Sequence, residues 1–142
     1  MKIAFVCIHN SCRSQMAEGW AKALAPKGYE VYSAGTEEYP EVKPHAKQAM
    51  EEVGVNMDDH YPKLLKDIPS SLDVLITMGC GVECPYVPAR FREDWGLEDP
   101  SGGPFQGFQD TRDLIKVRVE QLLIDIENGT LWDKKGINLD LK

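Results

Sequence analysis

The feature that most constrains this chain is an apolar run, Ile3-Ala4-Phe5-Val6, that ends in Cys7-Ile8-His9-Asn10-Ser11-Cys12-Arg13-Ser14 and leads into Met16, Trp20 and Leu24 at helical spacing. A short, continuously apolar run is the pattern of a strand buried on both faces, as in a parallel sheet, and recurrence every three to four residues is that of a helix. The chain therefore opens as strand, tight loop, helix. Parallel strands need crossovers to join them, and these are right-handed, which leaves few topologies.

The same alternation continues. Tyr29 to Gly35 alternates as a strand after Gly28, Pro44 opens a helix expected to reach Val53 with Gly54 as its stop, and Leu72 to Met78 reads as a buried strand. Asp58 to Leu65 is polar with few apolar anchors and reads as a short helix or loop. Between Gly79 and Phe105 glycine, proline and charge dominate, so loops are expected around one short strand near Tyr86 to Ala89. Phe108 to Ile126 carries the longest helical pattern, closed by Gly129. The expected fold class is α/β, with a four-stranded parallel sheet covered on both faces as a three-layer sandwich. The 142 residues suffice for one core, so 1–142 is expected to be a single domain, with 130–142 a C-terminal extension holding Leu131, Trp132, Ile137, Leu139 and Leu141.

No apolar run approaches the roughly 20 residues that span a bilayer, and the start of the chain does not read as a targeting segment; the expectation is a cytoplasmic protein with no membrane partner. A net charge of −7 argues against non-specific nucleic-acid binding. It also means that an anionic ligand must be drawn in by a local site, against the overall field.

The loop after the first strand is such a site. Between Cys7 and Arg13 its backbone N–H groups can surround one tetrahedral anion, and the helix that follows adds its positive end. The guanidinium of Arg13 supplies a planar fork for two oxygens, which lysine cannot do. Both groups favour the thiolate form of a neighbouring cysteine, so Cys7 is the candidate nucleophile, with Ser14 able to donate a hydrogen bond to its sulfur. Ile8, His9, Asn10, Ser11, Cys12 and Arg13 are the candidate substrate-binding residues, Asn10 and Ser11 also being suited to holding a tight turn. On residue types alone the alternative stands that Cys7 ends a core strand and Arg13 is a surface charge.

Cys80 and Cys84 follow the third expected strand, at the same sheet edge as Cys7. One helical turn between them would set their α-carbons about 6 Å apart, inside the roughly 4.4 to 6.8 Å of a disulfide. Zinc is the competing use, but Cys-x3-Cys is not the commonest zinc spacing and the chain's histidines are His9, His45 and His60. No metal or cofactor is expected.

The stretch from Cys7 to Ser14, continued by Gln15-Met16-Ala17-Glu18-Gly19-Trp20, resembles the signature of low-molecular-weight tyrosine phosphatases and, more closely, of thioredoxin-coupled arsenate reductases. Tyr32-Ser33-Ala34-Gly35, the region of Cys80 and Cys84, and Trp95-Gly96-Leu97-Glu98-Asp99-Pro100 extend the likeness over Lys2 to Glu127. The resemblance implies the flavodoxin-like topology of those phosphatases. It implies that Cys7 attacks the arsenic of arsenate while Arg13 and the loop amides hold its oxygens and Asp99 protonates the leaving oxygen. Cys80 would then attack Cys7 and release arsenite, Cys84 would move the disulfide to Cys80–Cys84, and thioredoxin would reduce it, all in a monomer. The other activity it implies is phosphatase, through a phospho-Cys7 intermediate resolved by water.

Against that pattern, Ser101-Gly102-Gly103 follows Asp99-Pro100 where the phosphatases carry an aromatic residue, which favours a small inorganic oxyanion. His9 stands where the family has glycine. Cys12 either packs the loop or forms a protective disulfide with Cys7. Asn10, Glu18 and Ser33 match three positions of a monovalent-cation site in related reductases, and Lys63 stands at the fourth; its ammonium, paired with Glu18, would replace the ion. An oxyanion-binding redox sensor without turnover is the reading from a different class.

Overall fold

The computed structural model describes residues 1–79 and 87–133. In chain order they form β1 (Lys2–Cys7), α1 (Arg13–Leu24), β2 (Glu30–Gly35), α2 (Pro44–Glu51), a 3-10 turn at Leu65–Asp67, β3 (Leu72–Thr77), β4 (Ala89–Asp94) and α3 (Phe105–Asn128). The strands make one sheet in the order β2-β1-β3-β4, with every pair parallel. This is the expected α/β topology. Central β1 is apolar along its length because both of its faces are covered.

Alternate residues of each strand feed two cores. On one face Ile3 and Phe5 of β1, Val74 and Ile76 of β3 and Phe91 of β4 pack with Met16 and Trp20 of α1, Met50 of α2, and Ile115 and Val119 of α3. The other face holds a smaller cluster, Ala4, Val6, Ala34, Leu75 and Ala89, covered among the described residues by Ile68 and the 3-10 turn beside it. All three α-helices thus contribute to the first core, and the layers of the sandwich are unequal. Among the described residues no helix is long and apolar enough to cross a membrane.

Three boundaries differ from those expected. The last strand is β4 at Ala89–Asp94, later than Tyr86 to Ala89, with Tyr86 outside the described residues. It is an edge strand: Ala89 and Phe91 turn inward while Arg90 is exposed, and its charges hide the alternation. Helix α2 ends at Glu51, short of Val53, and α3 begins at Phe105 because Pro104 ends the extended chain before it. Gly129 closes α3 at φ 76, the left-handed cap its position suggested. Beyond it Leu131 is buried and the Arg90 guanidinium lies 4.0 Å from the centre of the Trp132 ring, so the start of the extension packs on the body. Ile137, Leu139 and Leu141 lie outside the described residues.

The sheet order makes the carboxyl end of β1 the switch point, since the chain adds β2 on one side and β3 on the other. Cys7 sits there, in register with Gly35 of β2. The chain after Gly35 is laid against the loop: the N–H groups of Thr36 and Glu37 both donate to Ile8 O at 2.8 Å. A β-carbon on Gly35 would meet Ile8 O at 2.7 Å and the carbonyl carbon of His9 at 2.8 Å, both backbone atoms that cannot yield. Gly35→Ala is therefore expected to destabilise the fold by about 2 kcal/mol, overpacking outweighing the smaller entropic gain of losing a glycine. A urea midpoint equal to wild type would contradict this.

Candidate active site

The loop from Cys7 to Ser14 is buried, and its shape depends on Asn10. Among the described residues Asn10 is the one non-glycine with positive φ, at 55°. Asparagine tolerates this conformation better than most residues, and here the side chain repays its cost with three bonds. Its Nδ2 donates to Ser14 Oγ at 2.7 Å, while its Oδ1 accepts from Gln15 Nε2 and from the Lys63 N–H, both at 2.9 Å. The same turn aims the Asn10 N–H at Cys7 Sγ, 3.2 Å away.

Those bonds fix the direction of the next one. Ser14 Oγ accepts from Asn10, which leaves its own hydrogen for Cys7 Sγ at 2.9 Å. The sulfur thus receives a backbone and a hydroxyl donor, the arrangement that suits a thiolate. Gln15 continues the network: its Nε2 is committed to the oxygens of Asn10 and Tyr61, so its Oε1 accepts from His60 Nδ1 at 2.8 Å. Burial pushes the His60 imidazole below the usual histidine value, keeping it neutral in that role.

Arg13 opens α1, whose first turn has no side-chain cap. Its Nη1 donates to the carbonyls of Met78 and Leu97, the latter at 2.6 Å, which clamps the ends of β3 and of the Asp99 segment against the loop. Nη2 faces Asp99 Oδ2 at 3.9 Å. Burial alone would raise the Asp99 carboxyl, but hydrogen bonds from Ser101, one of them N–H to Oδ1 at 3.0 Å, and the charges of Arg13 and Lys43 hold it below the usual range. In the free protein Asp99 is a carboxylate. Cys12 is the opposite case to a reactive thiol: burial, then the charges of Asp99 and Cys7, push it up to about 12. Cys12 stays protonated and packs the loop, and neither it nor Cys7 is in a disulfide.

Below the loop, Glu18 is almost fully buried. Burial would raise its carboxyl, yet hydrogen bonds from Lys22 and Ser33 and the charge of Lys63 hold it low. Lys22 Nζ lies 2.5 Å from Oε2 and Lys63 Nζ 3.6 Å from Oε1, with Ser33 Oγ donating to the same carboxylate. Two ammonium groups already neutralise the site, so the residues present do not fit a monovalent metal ion. Among the described residues no cluster of His, Cys, Asp and Glu could hold a metal.

The structure brings Cys7, Ser14, Arg13 and Asp99 together, with Ile8 to Cys12 as the loop between. Cys80 and Cys84 lie outside the described residues. The His9 imidazole stands at the rim, 3.3 Å from Glu37 and stacked on Tyr39 at 4.9 Å between ring centres. Gln15, His60, Tyr39 and Lys43 were not among the sequence candidates. Nothing local marks His60, which reaches the loop only through Gln15; a glutamine on the first helical turn after the loop was the one available sign.

The family model described as low molecular weight phosphotyrosine protein phosphatase matches residues 2–131. An arsenate reductase of Staphylococcus aureus (strain bovine RF122 / ET3-1) is 43% identical over 122 residues, covering 83% of this chain and 92% of that protein. Among solved structures, an arsenate reductase in the phosphate binding state matches with a TM-score of 0.81 at 42% identity, covering 88% of this chain and 98% of the other. The thioredoxin-dependent arsenate reductase of Corynebacterium glutamicum matches with a TM-score of 0.75 at 32% identity, covering 90% of this chain and 62% of that one.

Because Lys63 and Lys22 occupy the carboxylate of Glu18, the dissociation constant for inorganic phosphate is expected to be the same in potassium as in sodium buffers of equal ionic strength. A several-fold tightening in potassium, measured by calorimetry, would show that the pocket still takes an ion.

Proposed function

Since the chain belongs to the low molecular weight phosphotyrosine protein phosphatase family, we propose that it turns the oxyanion loop of that family to the reduction of arsenate to arsenite, with Cys7 as nucleophile. The observation that carries the choice of arsenate is the likeness to proteins named arsenate reductases, at 43% identity over 122 residues. The second cysteine pair, Cys80 and Cys84, supports it, because hydrolysis needs no further thiol.

Arsenate seats on the loop amides with two oxygens on the free edge of Arg13, whose other amino group is tied to Met78 and Leu97. The dianion takes over the pairing of Arg13 with Asp99 and adds a like charge beside it, and both effects raise the Asp99 carboxyl. Asp99, ionised beforehand, thereby accepts a proton carried in by the substrate. Cys7 thiolate, held by Ser14 and the Asn10 N–H, attacks arsenic, and Asp99 returns the proton to the departing oxygen, which leaves as water. A Cys7 sulfur–As(V) bond results.

Cys80 thiolate then attacks Cys7 Sγ. The S–S bond forms as the S–As bond breaks, its electron pair stays on arsenic, and As(III) leaves as arsenite. Attack of Cys84 on Cys80 restores Cys7 and moves the disulfide to Cys80–Cys84, which a thioredoxin dithiol reduces. The thioredoxin dependence of the Corynebacterium glutamicum relative supports this reductant. Cys12, held as a protonated thiol, stays out of the relay.

The test is arsenate turnover coupled to thioredoxin, thioredoxin reductase and NADPH. Cys80→Ser and Cys84→Ser are each expected to abolish steady-state turnover, and full turnover in either variant overturns the relay. Hydrolysis of a phosphomonoester without arsenate turnover would assign the phosphatase activity instead. Asp99→Asn is expected to lower kcat by about two to three orders of magnitude, as loss of a general acid does. It should bind phosphate at least as tightly as wild type, because a negative charge beside the anion is removed; weaker binding would assign Asp99 a structural role.

A further inference from the structure

The rim of the loop carries a cation that the mechanism above does not use. Lys43 immediately precedes α2, and its main-chain N–H donates to Ser11 O at 2.8 Å, tying this segment to the loop. Its ammonium donates to Tyr39 Oη at 2.5 Å and lies 4.6 Å from the centre of the Tyr39 ring. Tyr39 is itself stacked on the His9 imidazole. A lysine that would ordinarily sweep through many rotamers is thus held in one place. Asp99 and Cys12 act electrostatically on this ammonium, which puts it within reach of both the general acid and the loop.

The site needs such a group. An oxyanion approaching a chain of net charge −7 also meets the carboxylates of Glu37 and Asp99 near the rim, and Glu37 is already paired with His9. Arg13 does not act at this distance: it is buried and one of its amino groups is committed to two carbonyls. The Lys43 side chain is half-buried at the rim, and its bond to Tyr39 uses one of three ammonium hydrogens.

We propose that Lys43 is a second oxyanion-binding cation of this site, drawing the incoming tetrahedral dianion to the mouth of the loop, with Tyr39 as the residue that positions it. The inference rests on the oxyanion reading of the loop, and it holds whether the bound anion is then reduced or hydrolysed. The cation reverses the sign of the local field and adds binding energy shared by ground state and transition state, so it acts on KM and leaves the chemical step alone.

The test is calorimetric binding of inorganic phosphate to the full chain, with steady-state arsenate kinetics alongside. Lys43→Gln keeps the main-chain bond to Ser11 and is expected to weaken phosphate binding about three- to tenfold at low salt, the effect of one half-exposed charge on a dianion. KM for arsenate should rise to match, with kcat within about twofold. The difference should shrink as the Debye length falls from about 10 Å at 0.1 M salt to about 3 Å at 1 M. Lys43→Arg should restore binding, and Tyr39→Phe should give a smaller loss, since the ammonium remains but is no longer held. Unchanged phosphate affinity in Lys43→Gln overturns the proposal, as does a loss that persists at high salt or falls equally on kcat. If wild type itself binds no phosphate, the oxyanion reading of the loop fails and this inference with it.

Discussion

The active-site loop depends on the conformation of one residue, Asn10. Its left-handed backbone turns its own N–H onto Cys7 Sγ, and its buried amide bonds Ser14, Gln15 and the main chain at Lys63. These bonds reinforce one another. The amide that stabilises the unfavourable φ also orients the Ser14 hydroxyl, and the hydroxyl then has one hydrogen left to give, to the sulfur. Donor direction runs unbroken from His60 through Gln15, Asn10 and Ser14 to Cys7, so the electrostatic environment of the nucleophile is assembled from neutral groups whose orientations leave no freedom.

Arg13 performs the corresponding task for the segments around the loop. By donating to the carbonyls of Met78 and Leu97 it converts two chain ends that would be mobile into fixed walls, and it places Asp99 across from the sulfur. The two cysteines of the loop show how local such control is. Cys12 sits among the same residues but has burial and two negative neighbours acting on it, and its thiol stays protonated; Cys7 receives the donors.

Much of this was legible in the chain. The four-stranded parallel sheet follows from apolar runs alternating with helical periods, and the loop residues Cys7, Arg13 and Ser14 follow from their position between one such run and one such period. Strand β4 was misplaced, because an edge strand alternates Ala89 and Phe91 with arginines and so reads as loop. The unequal faces of the sheet were not visible either, since apolar content in a central strand says that both sides are covered but not by what.

Sequence by itself determined the nucleophile, the oxyanion loop and the topology that carries them, because each rests on contacts between residues close in the chain: a strand, a turn and the helix after it. Tertiary structure alone decided which groups surround that loop. His60 reaches it across 45 residues through Gln15, Lys63 replaces a cation beside Glu18 at the same separation, and Lys43 stands near Asp99 only because the chain after Gly35 is pressed onto the loop. Such placements depend on side-chain packing between elements, and no local periodicity encodes it.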